Sequence, residues 1–496
     1  MKLLLYISSL IILQLSYIFS EERNIVLFVT DDQSPDAGCY GNKKIKMPNL
    51  DKLASEGTLF KHAFATTASC SASRSVILTG LHNHLNGQFG HQHNYHKFSS
   101  FQNIQSLPVL LNRHGYRTAR IGKFHVAPEP VYHFETKLKG NSRNAVQMAT
   151  QCKDFISSKD ERPFFLYFAT SDPHRGGGTD KGSPHKPDLF GNRPNKGSHQ
   201  GVDEVFYKPE EVEVPDFLPD TPTCRAELAQ YYQSCSRIDQ GLGQLIQILK
   251  EAGKYDKTLV IFTSDHGIAM PGGKTTVYEP GLRVPFVVRN PYIKERGLIS
   301  DALISHIDIT PSILNFADAY DSKTRGPLKK LINFENSEKR APEENRGKKI
   351  VKFHGRSWLP ILNKKETSGW DQIGASHTFH EIQMYYPMRV IRDRNYKLIW
   401  NIAHPLPFPF ASDLWAAPTW QAQFKQGPTT KYGKRTVHEY IQRPKFELFD
   451  MRKDPNETKN LAAEAKHYEL LQTYKEKLKE MQKQTNDPWI IKWKYE

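Results

Sequence analysis

Asn24 to Asp32 reads NIVLFVTDD: seven residues of strand-forming, mostly apolar character that stop at two carboxylates. The same pattern recurs three times. RTARIG (117–122) runs into Lys123-Phe124-His125, PFFLYFAT (163–170) into Ser171-Asp172-Pro173-His174, and TLVIFTS (258–264) into Asp265-His266-Gly267. Runs that are apolar on both faces fit strands of a parallel sheet buried between helix layers. A helical pattern lies between them, clearest at Leu228, Tyr231, Cys235, Ile238, Leu242, Leu245 and Leu249, and it stops near Gly253. Strand-helix alternation predicts an α/β fold with a large, mostly parallel sheet between helix layers. In such folds ligands bind beyond the carboxyl ends of the strands, where all four polar clusters sit.

Singly, each cluster has a plainer reading. An Asp after a strand is often the N-cap of the next helix, Asp172-Pro173 makes a turn, and one histidine is more often hydrogen-bonded than catalytic. Together they read differently. Asp31, Asp32 and Asp265 would repel one another unless a cation sat between them, and three carboxylates describe a hard divalent ion, calcium or magnesium. His266 is the softer donor of that set.

The chain has 496 residues and a net charge of +15, from 68 basic and 53 acidic side chains. Such a surface attracts polyanions. Met1 to Ser20, with one lysine, an apolar middle and a small residue at Ser20, has the pattern of a cleaved signal peptide, and no later run is long enough to span a membrane. Secretory entry argues against nucleic acid and leaves acidic lipid headgroups, a sulfated polysaccharide or simply a generic soluble surface. Five cysteines are few for such a chain, so its core must hold it. Cys224 and Cys235, roughly 16 Å apart along one predicted helix, cannot bridge each other. Asn456-Glu457-Thr458 is the one N-glycosylation sequon. Residues 321–352 are rich in charge and predict a solvated loop. The histidine-rich run HNHLNGQFGHQH (82–93) carries two His-x-His pairs that are expected to lie outside the catalytic site.

TTASCSASRSVILTG (66–80) places Cys70 at or just before the first turn of a helix. A helix N-terminus suits an anion such as sulfate or phosphate. From the residues alone, Cys70 is either a thiolate nucleophile beside Arg74 or a small buried cysteine that packs.

Cys70-Ser-Ala-Ser-Arg74 resembles the signature of the formylglycine-dependent sulfatases, Cys-x-Pro/Ala-x-Arg, with alanine at Ala72 where proline is commoner. The likeness extends through VTDDQ, MPNLDKLASEGTLFKHAFAT, GYRTARIGKFH, VIFTSDHG and FELFDMRKDPNETKNLA. Within the family the chain resembles the heparan N-sulfatase branch most, through 106–135, 163–175, HEIQMYYPMR (380–389) and NDPW (486–489). It departs from that branch at His266, where asparagine is expected, and in a longer basic loop.

The resemblance implies an alkaline-phosphatase-like sulfatase fold. A signal peptide would occupy 1–20, a catalytic domain 21–364, and a smaller α+β domain 365–496 with an antiparallel sheet and a terminal helix. It implies that Cys70 is oxidised to formylglycine by the formylglycine-generating enzyme. The formylglycine hydrate would then sit on one divalent cation, calcium or else magnesium, with Asp31, Asp32, Asp265 and His266. One hydroxyl would attack sulfur and the second would expel sulfate, which a serine could not do. By the same resemblance Arg74 and Lys123 stabilise the hydrate, and Lys123 and Lys274 neutralise the sulfuryl oxygens. His125 serves as base and His174 protonates the leaving nitrogen. Arg175, His380 and Glu381 are candidates for sugar contacts. The implied reaction is hydrolysis of the N-sulfate at the non-reducing end of heparan sulfate or a heparin-derived oligosaccharide, in the lysosome or after secretion, by a monomer or homodimer.

Three other readings stay open on the sequence. The chain could be a glycosaminoglycan O-sulfatase or arylsulfatase, a phosphatase or phosphodiesterase of the alkaline phosphatase superfamily, or a polyanion-binding protein with a decayed site.

Overall fold

A computed structural model describes residues 22–175, 190–193, 197–332, 352–364 and 367–495. The predicted signal peptide and most of the charged loop lie outside them. Eight strands form one sheet: β1 (Asn24–Thr30), β2 (Thr58–Phe64), β3 (Arg117–Gly122), β4 (Thr136–Lys137), β5 (Phe164–Ala169), β6 (Thr258–Ser264), β7 (Phe286–Arg289) and β8 (Leu298–Ser305). Their spatial order is β8-β2-β7-β6-β1-β5-β3-β4. The four strands read from the sequence are neighbours at its centre, all parallel; β7 runs antiparallel to both β6 and β2.

Because side chains alternate along a strand, β1 feeds two cores. Val26 and Phe28 face one side, where Phe28 stacks on Phe168 and Phe262 with ring centroids 4.6 and 5.2 Å apart. Ile25, Leu27 and Val29 face the other. Helix α1 (Cys70–Thr79) covers the second side, and the 30-residue helix α2 (Pro222–Glu251) the first. The side chain of Thr221 caps α2 by accepting from the backbone N–H of Cys224, and Gly253 leaves it with φ +65°. All seven apolar positions of its predicted stripe are buried. Helix α3 (Ile309–Phe316) packs beside α1.

A second, antiparallel sheet has the order β9 (Gln372–His377), β10 (Met388–Asp393), β11 (Tyr396–Asn401), β12 (Phe446–Asp450). One of its faces joins the core under α2; the other meets helix α4 (Tyr468–Gln484) through Leu398, Leu448, Leu471 and Leu478. NDPW is explained here. Arg389 on β10 makes a bidentate, buried ion pair with Asp487 at 2.5 and 3.0 Å, and Trp489 lies 4.5 Å below the guanidinium.

All five cysteines are unpaired thiols. Where the charged loop is described, to residue 332, it is more ordered than a solvated loop: Tyr320–Asp321 pairs with Gly326–Pro327, and Leu331 is buried. No described helix is long and apolar enough to cross a membrane.

Candidate active site

Register builds the site. Thr30 pairs with Ser264 at the ends of β1 and β6, so the next residues, Asp31 and Asp265, leave the sheet side by side. The carboxylate of Asp265 ties the two loops by accepting from the backbone N–H of Asp32 (3.0 Å) and of His266 (2.9 Å). Asp32 itself turns through left-handed backbone, φ +62°. On the other flank Gly122 pairs with Ala169, which delivers Lys123 to the same edge. Gly122 has φ +82°, and a Cβ there would meet the carbonyl oxygen of Ala169 at 2.0 Å, so only glycine fits. Asp172 is buried between Arg143 and Arg237 and fixes the loop that carries His174.

Helix α1 starts at Cys70, with Ser69 as its N-cap, and every one of its residues is buried. Arg74, one turn on, bridges Asp31 (3.1 Å) and Asp265 (3.0 Å). Lys123 Nζ donates to Asp31 at 2.5 Å. Lys274 Nζ donates to Asp32 (3.1 Å), His174 Nε2 (2.9 Å) and Asp413 (2.8 Å). Cys70 Sγ lies 3.4 Å from His266 Nε2 and 3.6 Å from Asp32, and His266 Nε2 is 3.0 Å from Asp32. Ligand atoms of Asp32, Cys70, Asp265 and His266 all lie within 4.8 Å of one another; Asp31 falls in an adjoining group with Asp32 and His174.

Charge follows from this packing. Burial opposes ionisation of Asp31, yet Lys123 and Arg74 hold its carboxyl well below the usual range. Burial, with Asp31 and Asp32 adding to it against Arg74, pushes Asp265 up to about 6. Burial disfavours the Lys274 cation, but Asp32 and Asp413 hold its pKa well above the ordinary value. His174 is pushed well down by burial and then by Lys274 and Lys123; His125 by burial and Lys123.

The structure therefore brings together Asp31, Asp32, Cys70, Arg74, Lys123, His174, Asp265, His266 and Lys274, while His125 adjoins Cys70 through a group shared with His91. His380 is buried, with Nδ1 3.0 Å from Ser69 Oγ. Glu381 accepts from Ser412 Oγ at 2.9 Å, one residue before Asp413. Arg175 is fully buried, bonded to Glu227, with its guanidinium over the Phe190 ring.

Two features were not legible. Asp413 had no motif to mark it, and only the fold carries it across 139 positions to Lys274. The histidine run divides, against the expectation that both its pairs lie outside. His82 and His84 do stay away, buried and stacked near His354. His91 and His93 instead line the site: His93 Nδ1 is 2.7 Å from His125 Nε2, and His91 Nε2 is 2.8 Å from His380 Nε2. The short hairpin Gln92–His93/His96–Lys97 sets exposed His93 beside His125, with buried His91 just before it, which composition alone does not reveal.

A sulfatase family model matches residues 23–319. The chain belongs to the sulfatase family. This sulfatase is 38% identical over 480 residues to the N-sulphoglucosamine sulphohydrolase of Homo sapiens, covering 94% of the chain and 91% of that protein. It is 28% identical to an ulvan-active sulfatase of Formosa agariphila, over 91% of the chain and 78% of the relative. Among solved structures, one in complex with its substrate D-glucosamine-2-N,6-O-disulfate superposes with a TM-score of 0.62 at 20% identity, covering 94% of this chain and 99% of the other. A phosphonate monoester hydrolase of Agrobacterium radiobacter also superposes with a TM-score of 0.62, at 19% identity over 93% and 96%. The sulfatase fold and a sulfatase's hydrolytic chemistry follow. Sulfatases characteristically use a metal and a formylglycine, and the buried Asp32, Cys70, Asp265 and His266 have the donor atoms and spacing for both.

Proposed function

We propose that this sulfatase hydrolyses the N-sulfate of glucosamine at the non-reducing end of heparan-derived chains. The observation that carries the reading is identity of 38% over 94% of the chain to a protein named for that reaction. Asp31, Asp32, Asp265 and His266 would hold a divalent cation, calcium or magnesium, beside a formylglycine derived from Cys70. The cation would lower the pKa of a formylglycine hydroxyl and so supply a nucleophile at neutral or acid pH.

The remaining work falls to the chain's own side chains. Arg74, locked between Asp31 and Asp265, fixes the start of α1 and hence residue 70. Lys123 and Lys274 are aimed at the space where sulfuryl oxygens gather charge, the kind of contribution that is usually largest in such transfers. His125 Nδ1 is buried with no hydrogen-bond partner among the described residues, which leaves it open to take a proton. His174 donates one to the departing nitrogen, since an amine leaves poorly as an anion. Burial, and then Lys274 and Lys123, push His174 well down; a bound sulfamate would offset the lysines' charge and so favour the proton that His174 must give. Glu381, half-exposed and bonded to Ser412 beside Asp413, would offer a carboxylate to a sugar hydroxyl, while His380 is buried against Ser69 and His91. Arg175 Nη2 bonds Glu227, while its Nε and Nη1 are buried with no hydrogen-bond partner among the described residues.

Two measurements test the reading. Peptide mass spectrometry across Cys70, on protein made in cells with the formylglycine-generating enzyme, should show an aldehyde that a hydrazide captures; an intact thiol in active protein would refute the nucleophile. Turnover should then be seen on N-sulfoglucosamine at a chain end and not on 6-O-sulfated N-acetylglucosamine, and the reverse preference would assign an O-sulfatase.

A further inference from the structure

A cleft of about 600 Å³ opens between the loop after β1, the segment 213–217, and the turn that follows β12. That volume is in the range, about 300–1,000 Å³, that buries small ligands. Tyr40 and Phe217 give it partly exposed aromatic walls over the buried Tyr232, Asp36 and Glu213 add carboxylates, and Asn456 of the sequon stands on its rim.

The local fold singles out Asn456 within the sequon. Glu457 is buried, ion-paired with Lys397 at 2.7 Å, and accepts from the backbone N–H of Glu279. The backbone N–H and hydroxyl of Thr458 both donate to Asp454. Asn456 is left half-exposed, and its Nδ2 donates to Asp216 at 3.2 Å, in the 213–217 wall. The amide that would carry a sugar is thus directed across the cleft mouth, not outward.

We propose that Asn456 carries an N-linked glycan whose two core N-acetylglucosamines lie in this cleft. On the nascent chain, a bond forms from Asn456 Nδ2 to C1 of the first sugar. The bond from that carbon to the diphosphate of a lipid-linked donor breaks, and one amide proton is released. The second amide hydrogen remains to donate to Asp216. In the folded protein the sugar faces stack on the aromatic walls and their hydroxyls and acetamides reach the carboxylates. The glycan core would then bridge the segments after β1, at 213–217 and after β12 as part of the folded structure.

The test uses full-length protein recovered from eukaryotic cells. Peptide mass spectrometry should find the glycan at Asn456. An endoglycosidase that cuts between the two core sugars should act on the folded protein at least about tenfold more slowly than on the denatured protein, as expected for a group released only by local opening. Phe217→Ala, which removes an aromatic wall and leaves the sequon intact, should restore cutting in the folded state; if it does not fold, Val214→Trp, which fills the cleft, should do the same. An unmodified Asn456, equal cutting of folded and denatured protein, or protection that survives in the folded variant would each overturn the proposal.

Discussion

Asp413 shows what a single residue can conceal. Nothing around PFASDLW suggests an active-site role, yet its carboxylate is one of two that hold Lys274 in place, and it sits 3.9 Å from His174. Its contact is a charge-assisted hydrogen bond, a type worth about 1.5–3 kcal/mol. Asp413→Asn keeps the shape and removes the charge, so kcat/KM should fall by roughly ten- to a hundredfold with little change in folding, read from initial rates beside a denaturation curve. Arg74 predicts the opposite balance. Its removal leaves Asp31 and Asp265 buried without their common cation, a loss of about 3–5 kcal/mol. Arg74→Ala should therefore shift the urea midpoint as well as abolish turnover; an unchanged midpoint would mean the ion pairs contribute nothing net.

At the scale of elements, three of the four central strands were readable because each is buried along its whole length, while RTARIG, with Arg120 half-buried, was read from the polar cluster that follows it. Apolar runs of six to eight residues ending at polar clusters leave little choice. The stripe on α2 was equally plain, and so was its stop near Gly253, while the Thr221 cap appears only in the fold. Other elements escaped. Strand β7 is four residues and antiparallel within an otherwise parallel neighbourhood, and the hairpin that carries His93 pairs only two residues on each side; such short segments hold their form through neighbours, not through their own periodicity. The join between β10 and the chain's end depends on one buried pair. Asp487→Ala would strand Arg389 under Trp489, so a destabilisation of about 3–5 kcal/mol is expected, visible as a lower urea midpoint.

Across the whole molecule, buried ionisable groups set opposing responses to pH. Burial pushes His82, His306 and His377 down to about 3. In the unfolded chain each has the ordinary value near 6.5, so between those values the unfolded state binds more protons. Stability from these histidines is present above pH ~6.5 and is lost as pH falls toward 3. Asp36, Asp239 and Asp308, each raised to about 6 by burial, work the other way: the folded state binds more protons below pH 6, and stability declines as pH rises from about 4 to 6. One histidine shifted this far contributes about 2–3 kcal/mol to the difference between pH 7 and pH 4.5. His82→Gln should therefore narrow the gap in urea midpoint between those two pH values; an unaltered gap would show that His82 does not govern the acid response.

What the sequence determined by itself was local and repetitive: strands buried on two faces, a helix with one apolar stripe, a cysteine placed at a helix start, and carboxylates at strand ends. Each follows from the period of the side chains and from the tendency of parallel sheets to gather polar groups at one edge. The parallel registers β1–β6, β1–β5 and β5–β3 then made Asp31, Asp265 and Lys123 neighbours, as strand ends alone suggest. Only the tertiary structure could decide which distant segments close the pocket. Asp413 and His380 arrive from the second sheet's surroundings, His93 from a two-residue hairpin, and Arg175 turns away to Glu227. Those outcomes depend on long-range packing and charge pairing, which leave no period in the sequence to read.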